Sequence, residues 1–316
     1  MKIRTHHYTL QPGSDPARAA RSPRSGALIR VEFGDGSIGH ADLHPWPEFG
    51  QEPLERQLAA LASDAPTPQG VIALRHARTD AAARRAGLSL FAGLPVVGSH
   101  ALFTDWTGAP RSAFEACAAS GIRAAKLKVG RAPAAEAAAL NELSGIALRW
   151  RLDANALFTV RDFREWIGLL NDDVRQAIEF VEDPCPYDAD SWADLAEETG
   201  LAFALDWQLP DSPPPWPGTS VLVLKPSAQE VFPLAQAAAA AGLKVVVTHS
   251  LDHPLGRATA MWTAMRLRQR HGDAVLEGGL GSTDLAPPAG WPLAPGPGGT
   301  GFGFDDLLAA TRWQSL

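Results

Sequence analysis

Two lysines interrupt an apolar stretch of the chain, Ala124-Ala125-Lys126-Leu127-Lys128-Val129. Alternate residues of a β-strand point to the same face, so Lys126 and Lys128 share one side of a predicted strand. Burying two ammonium groups is costly unless other groups compensate their charge. The pattern therefore predicts a concentration of negative charge on the side that the two lysines face.

Acidic residues stand at the ends of three later predicted strands. They are Asp153 in "RLDAN", Glu182 in "FVEDP" and Asp206 in "ALDWQ". Any one of them could instead be the N-cap of the following helix. Three carboxylates at successive strand ends would converge on one point, and oxygen ligands suit a hard cation such as Mg²⁺. Zinc is disfavoured because the trio contains no cysteine or histidine. We therefore expect these three residues to bind Mg²⁺.

A third lysine, Lys225 in "VLVLKPS", repeats the pattern of a charged residue after an apolar strand. A partly desolvated lysine among cations has a lowered pKa and can act as a general base. The competing interpretation is that Lys126 and Lys128 serve only as structural counter-ions of Asp153 and Glu182. The position of Lys225, a third lysine at the end of an apolar strand, favours the catalytic interpretation.

The stretch from about residue 96 to residue 280 alternates predicted strands with mostly Ala-rich predicted helices. The eight predicted strands are residues 99–104, 124–129, 147–153, 177–182, 202–206, 221–225, 244–249 and 274–279. Eight strands in one β/α series favour a closed parallel barrel over an open sheet. The connection between the fifth and sixth strands is too rich in proline for a full helix. In such a barrel, functional groups lie at the C-terminal ends of the strands.

The remaining segments predict a second domain. Residues 27–33 alternate apolar and polar side chains and lead into Asp35-Gly36, a strong hairpin signal, while later stretches predict helices. We therefore expect an α+β capping domain over residues 1–95, a barrel over residues 96–285, and a tail over residues 286–316 that packs on the capping domain.

The composition of the whole chain excludes several classes of protein. A net charge of -7 over 316 residues argues against a nucleic-acid partner. The sequence contains no apolar run long enough to span a membrane, and its first residues lack the apolar core that a signal peptide would have. Its cysteines, Cys117 and Cys185, have no metal-type spacing. These observations predict a cytoplasmic protein that acts on small molecules, with an undetermined oligomeric state.

The combined pattern resembles the enolase superfamily, in its muconate-lactonizing-enzyme-like subgroup: Lys-x-Lys, then Asp, Glu and Asp at successive strand ends, then Lys. Three stretches are similar to the o-succinylbenzoate synthase family, namely "RLDAN", the loop "HPWPEFGQEPLE" and "THSLDHPLGR". The resemblance implies a modified (β/α)7β barrel of the TIM type, with an N-terminal capping domain completed by the C-terminal tail. Trp207, where the family usually has Glu, and His253-Pro254 depart from the family pattern.

The resemblance also implies a reaction. It is the Mg²⁺-dependent dehydration of 2-succinyl-6-hydroxy-2,4-cyclohexadiene-1-carboxylate to 2-succinylbenzoate, a step of menaquinone biosynthesis. Lys128 would remove the α-proton and then protonate the departing hydroxyl, while Lys225 would stabilise the intermediate. The residues expected to bind the substrate are Lys126, Arg151, Asn155 and Ser250. The proline-rich loop of residues 44–51 would form part of a lid.

Other reactions of the same superfamily remain open. Two lysines on opposite faces could also pass a proton through a planar intermediate, as in an N-acylamino acid racemase or a dipeptide epimerase. A lactonizing enzyme is a weaker alternative. A binding protein that had lost activity would show damage to the set of lysines and acids, and the sequence shows none.

Overall fold

The structure is a computed structural model that describes residues 1–12, 23–206, 209–210, 212–281, 285–288, 290–292 and 298–316. Its strands form two sheets, one antiparallel and one parallel. Trp207, one of the departures from the family pattern, lies outside the described residues.

The antiparallel sheet is built from both ends of the chain. Its central strands are β1 (Lys2–Pro12), β2 (Arg24–Glu32) and β3 (Ile38–Leu43). The predicted hairpin joins β2 to β3, and Asp35 accepts a hydrogen bond from the Ser37 backbone N–H in its turn. Two short strands of the tail, β11 (Leu285–Ala286) and β12 (Gln314–Ser315), both pair with β1. The tail therefore completes the N-terminal sheet, as expected, whereas β1 itself was not predicted.

Two helices cover one face of this sheet, α1 (Leu54–Ala62) and α2 (Pro68–Arg85). Helix α2 begins at Thr67, whose hydroxyl accepts a hydrogen bond from the Gly70 backbone N–H, with proline at the first helical position. Gly39 on β3 lets α2 approach closely, because a Cβ there would overlap the carbonyl oxygen of Ala77. The aliphatic side chains between sheet and helices form a separate hydrophobic core.

The parallel sheet contains the predicted barrel strands in sequence order. They are β4 (Ala101–Phe103), β5 (Ala124–Lys128), β6 (Arg149–Asp153), β7 (Ile178–Glu182), β8 (Phe203–Leu205), β9 (Thr219–Leu224) and β10 (Lys244–Val247). The remaining helices are α3 (Arg111–Ala119), α4 (Pro133–Glu142), α5 (Val160–Ile167), α6 (Asp172–Ala177), α7 (Ala189–Thr199), α8 (Val231–Ala240), α9 (Pro254–His271) and α10 (Asp305–Ala310). The described residues between β8 and β9 contain no helix, in agreement with their proline content.

The predicted eighth strand closes the ring without forming a continuous strand. Residues 274–279 make isolated parallel bridges to β10 on one side and to the segment before β4 on the other. The backbone N–H of Leu276 donates to the Val245 carbonyl (2.8 Å), and that of His100 donates to the Gly278 carbonyl (2.9 Å). The fold is therefore the expected (β/α)7β barrel with a capping domain.

The capping domain and the barrel share a hydrophobic cluster. Tyr8 and Leu28 of the antiparallel sheet, Leu255 and Trp262 of α9, and Phe302 of the tail all contribute to it. The positions of the domain boundaries, at residues 95 and 285, stay a prediction. No helix within the described ranges is long and apolar enough to cross a membrane.

Candidate active site

The row of predicted site residues lies at the C-terminal edge of the barrel sheet. Lys128 is paired with Asp153, and Asp153 with Glu182, across β5, β6 and β7. Asp206 follows β8 directly, and Lys225 follows β9 directly. Residues paired across neighbouring strands share one face, so parallel pairing brings the strand-end residues to the mouth of the barrel.

Each predicted lysine contacts a predicted metal ligand. The Lys126 ammonium donates hydrogen bonds to both carboxylate oxygens of Glu182 (2.7 Å each) and lies 2.8 Å from Asp153 Oδ2. The Lys128 ammonium donates to Asp153 Oδ2 (2.6 Å), and the Lys225 ammonium donates to Asp206. These contacts suit the catalytic interpretation and the counter-ion interpretation equally, so the roles of the residues stay a prediction.

Electrostatics within this cluster are dominated by burial and by charge pairing. Burial raises the pKa of Asp153, but the ammonium groups of Lys126 and Lys128 outweigh burial and hold it below its usual range. Burial, and then the charge of Asp153, raises the pKa of Glu182 well above its usual range. Burial would lower the pKa of Lys126, yet the surrounding carboxylates raise it. The carboxylates around Lys126 therefore outweigh the effect of its burial.

One further acid enters the site, Asp183, to which the sequence analysis assigned no role. Its Oδ1 accepts a hydrogen bond from the Asp206 backbone N–H (3.2 Å). Burial and the nearby charge of Asp206 raise the pKa of Asp183 to about 7. Burial, which disfavours the charged form of the carboxyl, is the larger of these two causes.

The donor set fits a hard divalent cation. Asp153, Glu182 and Asp206 are at most 8% exposed and offer only oxygen ligands, which Mg²⁺ prefers. The Lys126 ammonium, which bonds Asp153 and Glu182 together, stands in for a cation at this point. In the described part of the chain, no three acidic, histidine or cysteine side chains are already arranged as a metal cluster.

Strained backbone marks the loops around the mouth. Asn155, Ala156, Asp183 and Leu251 all have positive φ angles, between 43° and 56°. Non-glycine residues in this region cost free energy and persist where surrounding structure fixes them, which is common at active sites. Here the Ala156 backbone N–H donates to the Asp183 carbonyl (2.7 Å). This bond fixes the backbone next to Asn155, whose Oδ1 accepts a hydrogen bond from the Lys128 ammonium (2.7 Å).

A cavity of about 570 Å³ opens above the cluster. Seven of the nine predicted site residues line it, namely Lys126, Lys128, Asp153, Asn155, Asp206, Lys225 and Ser250. Glu182 does not reach the cavity wall because it lies beneath Lys126. A volume of this size suits a small-molecule ligand.

Arg151 lies behind the cavity wall. Its side chain is fully buried, and its guanidinium donates to Glu179 (2.6 Å), to the Glu277 carbonyl (2.6 Å) and to His100 Nδ1 (2.8 Å). It has no direct access to a ligand in the cavity, so the expected binding of substrate by Arg151 is not supported by its position. It positions His100, which does line the cavity.

His100 is a functional candidate that the sequence analysis missed. An arginine only donates, so His100 Nδ1 accepts the bond and the proton of the neutral ring resides on Nε2. Burial, and then the charge of Arg151, lowers the pKa of His100 well below its usual range. Alternation along the first predicted strand could have found this residue, because His100, Leu102 and Thr104 all line the cavity.

The proline-rich loop of the capping domain reaches the cavity, as expected. Trp46, Phe49 and Gln51 line the same cavity as Lys128. The Trp46 indole N–H donates to the Ser250 carbonyl (2.9 Å), and the Arg24 guanidinium stacks on its ring at 3.5 Å. The prediction that this loop covers the barrel mouth is confirmed.

Removal of the Trp46 side chain should therefore impair catalysis more than stability. We expect Trp46→Ala to lower kcat/KM by roughly 10²-fold, because misplacement of the lid disturbs substrate positioning. Thermal unfolding and steady-state kinetics measure the two effects. Trp313→Ala is the matched control, since Trp313 is also half-buried but lies outside this cavity. Equal kinetic losses in both variants would contradict a role for the loop in the site.

Asp252 supports the loop that carries Ser250. Its Oδ2 accepts a hydrogen bond from the Ser250 backbone N–H (3.0 Å), and its side chain is 1% exposed. Burial raises the pKa of Asp252 to about 6. Next to it, His253 caps α9 by accepting from the Leu255 backbone N–H (3.2 Å), and Pro254 occupies the first helical position. The departure His253-Pro254 thus begins a helix.

Asp252→Asn should change how stability depends on pH. A folded pKa above the unfolded value means that ionisation of Asp252 lowers stability as pH rises from about 4 to about 6, and this one group contributes a loss of roughly 3 kcal/mol. The variant lacks this titration. The free energy of unfolding of the variant, minus that of the wild type, should therefore increase over the same pH interval. Chemical denaturation at pH 4, 5, 6 and 7 measures the difference. A difference that does not change with pH would contradict the buried, late-ionising carboxyl.

The fold and the site together define a class of enzyme. A (β/α)7β barrel with lysines and carboxylates at its strand ends, closed by an α+β cap, is the architecture of the enolase superfamily. Residues 109–211 match the family model described as "Enolase C-terminal domain-like", and residues 3–83 match the model described as "O-succinylbenzoate synthase, N-terminal domain".

Curated relatives narrow the class to one family. An o-succinylbenzoate synthase of Bdellovibrio bacteriovorus is 34% identical over 330 residues, which cover 100% of this chain and 99% of that protein. An o-succinylbenzoate synthase of an Enterobacter species is 31% identical over 252 residues, covering 74% of this chain and 76% of that protein. The chain belongs to the o-succinylbenzoate synthase family, whose members are carbon–oxygen lyases.

Solved structures share the fold. An o-succinylbenzoate synthase from Thermosynechococcus elongatus, complexed with Mg in its active site, has a TM-score of 0.68 and 22% identity, covering 91% of this chain and 95% of that one. A dipeptide epimerase from Enterococcus faecalis has a TM-score of 0.75 and 18% identity, covering 96% of this chain and 98% of that one. At these identities the likeness concerns the fold alone.

Proposed function

We propose that the protein catalyses the dehydration of 2-succinyl-6-hydroxy-2,4-cyclohexadiene-1-carboxylate to 2-succinylbenzoate, as a step of menaquinone biosynthesis in the cytoplasm. The observation that carries the proposal is the capping domain. Residues 3–83 match the o-succinylbenzoate synthase N-terminal domain, and this segment supplies Trp46, Phe49 and Gln51 to the cavity wall. The domain that closes over the cavity is thus the part of the chain that matches the synthase family model.

The lysines account for the proton transfers. Lys128 Nζ takes the α-proton of the substrate, and the same ammonium then protonates the hydroxyl that leaves as water. The electron pair of the broken C–H bond forms the last double bond of the aromatic ring. Lys225 approaches from β9, which three strands separate from β5 in the sheet, and its charge stabilises the negative intermediate from another side.

The carboxylates provide the metal site. Asp153, Glu182 and Asp206 would hold Mg²⁺, which when bound supplies positive charge that stabilises the developing charge on the substrate carboxylate. Lys126 supports the same carboxylate and orders Glu182 and Asp153 through its three hydrogen-bonding contacts. Asn155 orients Lys128 by accepting its second hydrogen bond, and Ser250 offers a hydroxyl at the opposite wall.

Loss of one ligand should test the metal site directly. We expect Asp206→Asn to weaken Mg²⁺ binding by at least about tenfold, because a direct ligand contributes no less than its outer-shell partners. Calorimetric titration measures the affinity, and thermal unfolding checks that the fold is intact. EDTA should abolish activity of the wild type, and added Mg²⁺ should restore it. Activity that is undiminished by chelation would contradict the proposal.

The alternative reaction is epimerisation of a dipeptide or racemisation of an N-acylamino acid. It shares the metal ligands and both lysines, and the backbone is also similar to a dipeptide epimerase, with a TM-score of 0.75. The test is to incubate the wild type with the cyclohexadiene substrate and, separately, with dipeptides or N-acylamino acids in D2O. Aromatic product without deuterium exchange supports the synthase, and exchange without aromatic product supports the alternative.

A further inference from the structure

A second cavity, of about 770 Å³, lies on the capping domain and shares no lining residue with the active-site cavity. Its floor is a row of side chains across three antiparallel strands. Arg4 on β1 is directly opposite Arg30 on β2, and Arg30 is directly opposite His40 on β3. Residues opposite each other on antiparallel strands lie on the same face, so the three side chains form one line beneath the cavity.

The two arginines of this row lack an acidic partner. In the ranges that the structure describes, the side chains of Arg4 and Arg30 make no hydrogen bond and no ion pair. Like charges placed directly opposite each other across a sheet are destabilising. A protein that keeps two such arginines side by side gains from any ligand that supplies the missing negative charge.

The acidic residues near the cavity are already engaged elsewhere. Asp35 pairs with Arg78 at 3.0 Å and accepts from the Ser37 hydroxyl at 2.6 Å. Asp305 binds Arg84 and accepts from the Thr300 backbone N–H at 2.8 Å. Asp80 contacts His40 at 3.2 Å and is paired with Arg84 at 2.6 Å. None of these carboxylates is within ion-pair distance of Arg4 or Arg30, so the charge of the two arginines remains directed at the cavity.

An aromatic wall stands beside this charge. Trp313 lines the cavity and is half-buried, and its ring lies 5.5 Å from that of His40, with 38° between the planes. The Trp313 indole N–H donates to the Leu308 carbonyl (3.2 Å), which fixes the ring on helix α10. The cavity thus combines a dibasic floor with a fixed apolar surface, and its volume lies in the range of small-molecule sites.

We propose that this cavity binds a small molecule with a doubly charged oxyanion group, which bridges Arg4 and Arg30, and with a planar apolar part, which packs on Trp313. Guanidinium groups present forked N–H donors that match phosphate and carboxylate oxygens. A phosphate monoester and an aromatic dicarboxylate share this chemistry. The site is separate from the proposed reaction and does not depend on it.

Binding of phenyl phosphate and of phenylmalonate, measured by calorimetry in EDTA, tests the proposal and distinguishes the two sources of charge. We expect the wild type to bind at least one of them, and Arg4→Gln and Arg30→Gln each to weaken that binding about tenfold. Arg161→Gln, which removes the same charge from a side chain that is 82% exposed on α5, is the matched control and should bind as the wild type does. Trp313→Ala should weaken phenyl phosphate more than inorganic phosphate.

Thermal unfolding shows whether a variant that binds neither probe is still folded, and it also measures the repulsion between the two arginines. Without ligand, Arg4→Gln and Arg30→Gln should each raise Tm by about 1 °C, because either change removes the repulsion within the row. The bound anion should raise the Tm of the wild type and leave that of the double variant unchanged. Failure of both probes to bind the wild type at millimolar concentration, or equal binding by the wild type and both arginine variants, would overturn the proposal.

Discussion

Lys128→Ala is expected to lower kcat for dehydration by about 10⁴-fold, because one side chain acts as both the general base and the general acid. The Lys128 ammonium lies 2.6 Å from Asp153 Oδ2, at the carboxylate edge of the cavity that would receive the substrate. Lys126 contacts Asp153 at 2.8 Å, so the carboxylate cluster should keep a buried positive charge when Lys128 is replaced. We therefore expect the fold and the binding of Mg²⁺ to survive the change.

Single-turnover and steady-state kinetics measure this loss, and thermal unfolding verifies the structure of the variant. Lys244→Ala is the matched control, because Lys244 is an exposed lysine at the opposite, N-terminal end of strand β10. The control should retain the activity of the wild type. Full activity of Lys128→Ala would contradict the mechanism itself, whichever substrate the enzyme uses.

Lys225→Arg should separate the two candidate reactions. Arginine keeps the positive charge beside Asp206 but does not give up its proton, so it stabilises an anion and cannot act as a base. A dehydration in which Lys225 supplies only charge should continue at about 1–10% of the rate of the wild type. Epimerisation needs a proton carrier on each face of the intermediate and should fall by at least about 10³-fold.

The companion variant Lys225→Ala removes the charge as well as the proton. Its dehydration should be at least about tenfold slower than that of Lys225→Arg, because the buried Asp206 then lacks its ammonium partner. Aromatic product formation by the wild type and both variants, measured under identical Mg²⁺ concentrations, gives the comparison. Equal rates for the arginine and alanine variants would contradict a purely electrostatic role for Lys225.

The sequence predicted the barrel and the cluster for a physical reason. Charged residues such as Lys126 and Glu182 stand out in short apolar strands, because a parallel strand covered by helices tolerates charge only where it is compensated. The alternation of strands and helices predicts a parallel sheet, whose strand ends meet at one edge. No information on tertiary contacts is needed for this prediction. For this reason the row of Lys128, Asp153 and Glu182 could be expected before the structure.

Other features depend on contacts between distant parts of the chain. The row Arg4, Arg30, His40 exists only through the pairing of β1, which the sequence analysis did not predict. The position of Arg151 also depends on distant contacts. Its guanidinium points away from the cavity because it donates hydrogen bonds to Glu179 and to the Glu277 carbonyl. Local patterns carry no information about these partners.

The ratio of two specificity constants, measured on one preparation of the wild-type protein with saturating Mg²⁺, tests the central claim most directly. The first is kcat/KM for the conversion of 2-succinyl-6-hydroxy-2,4-cyclohexadiene-1-carboxylate to 2-succinylbenzoate, and the second is kcat/KM for epimerisation of the best dipeptide or N-acylamino acid found. The proposed function predicts that dehydration is faster by at least about 10³-fold, at a value within the 10⁴–10⁸ M⁻¹s⁻¹ typical of enzymes. No aromatic product above the uncatalysed rate, together with measurable epimerisation, would contradict it.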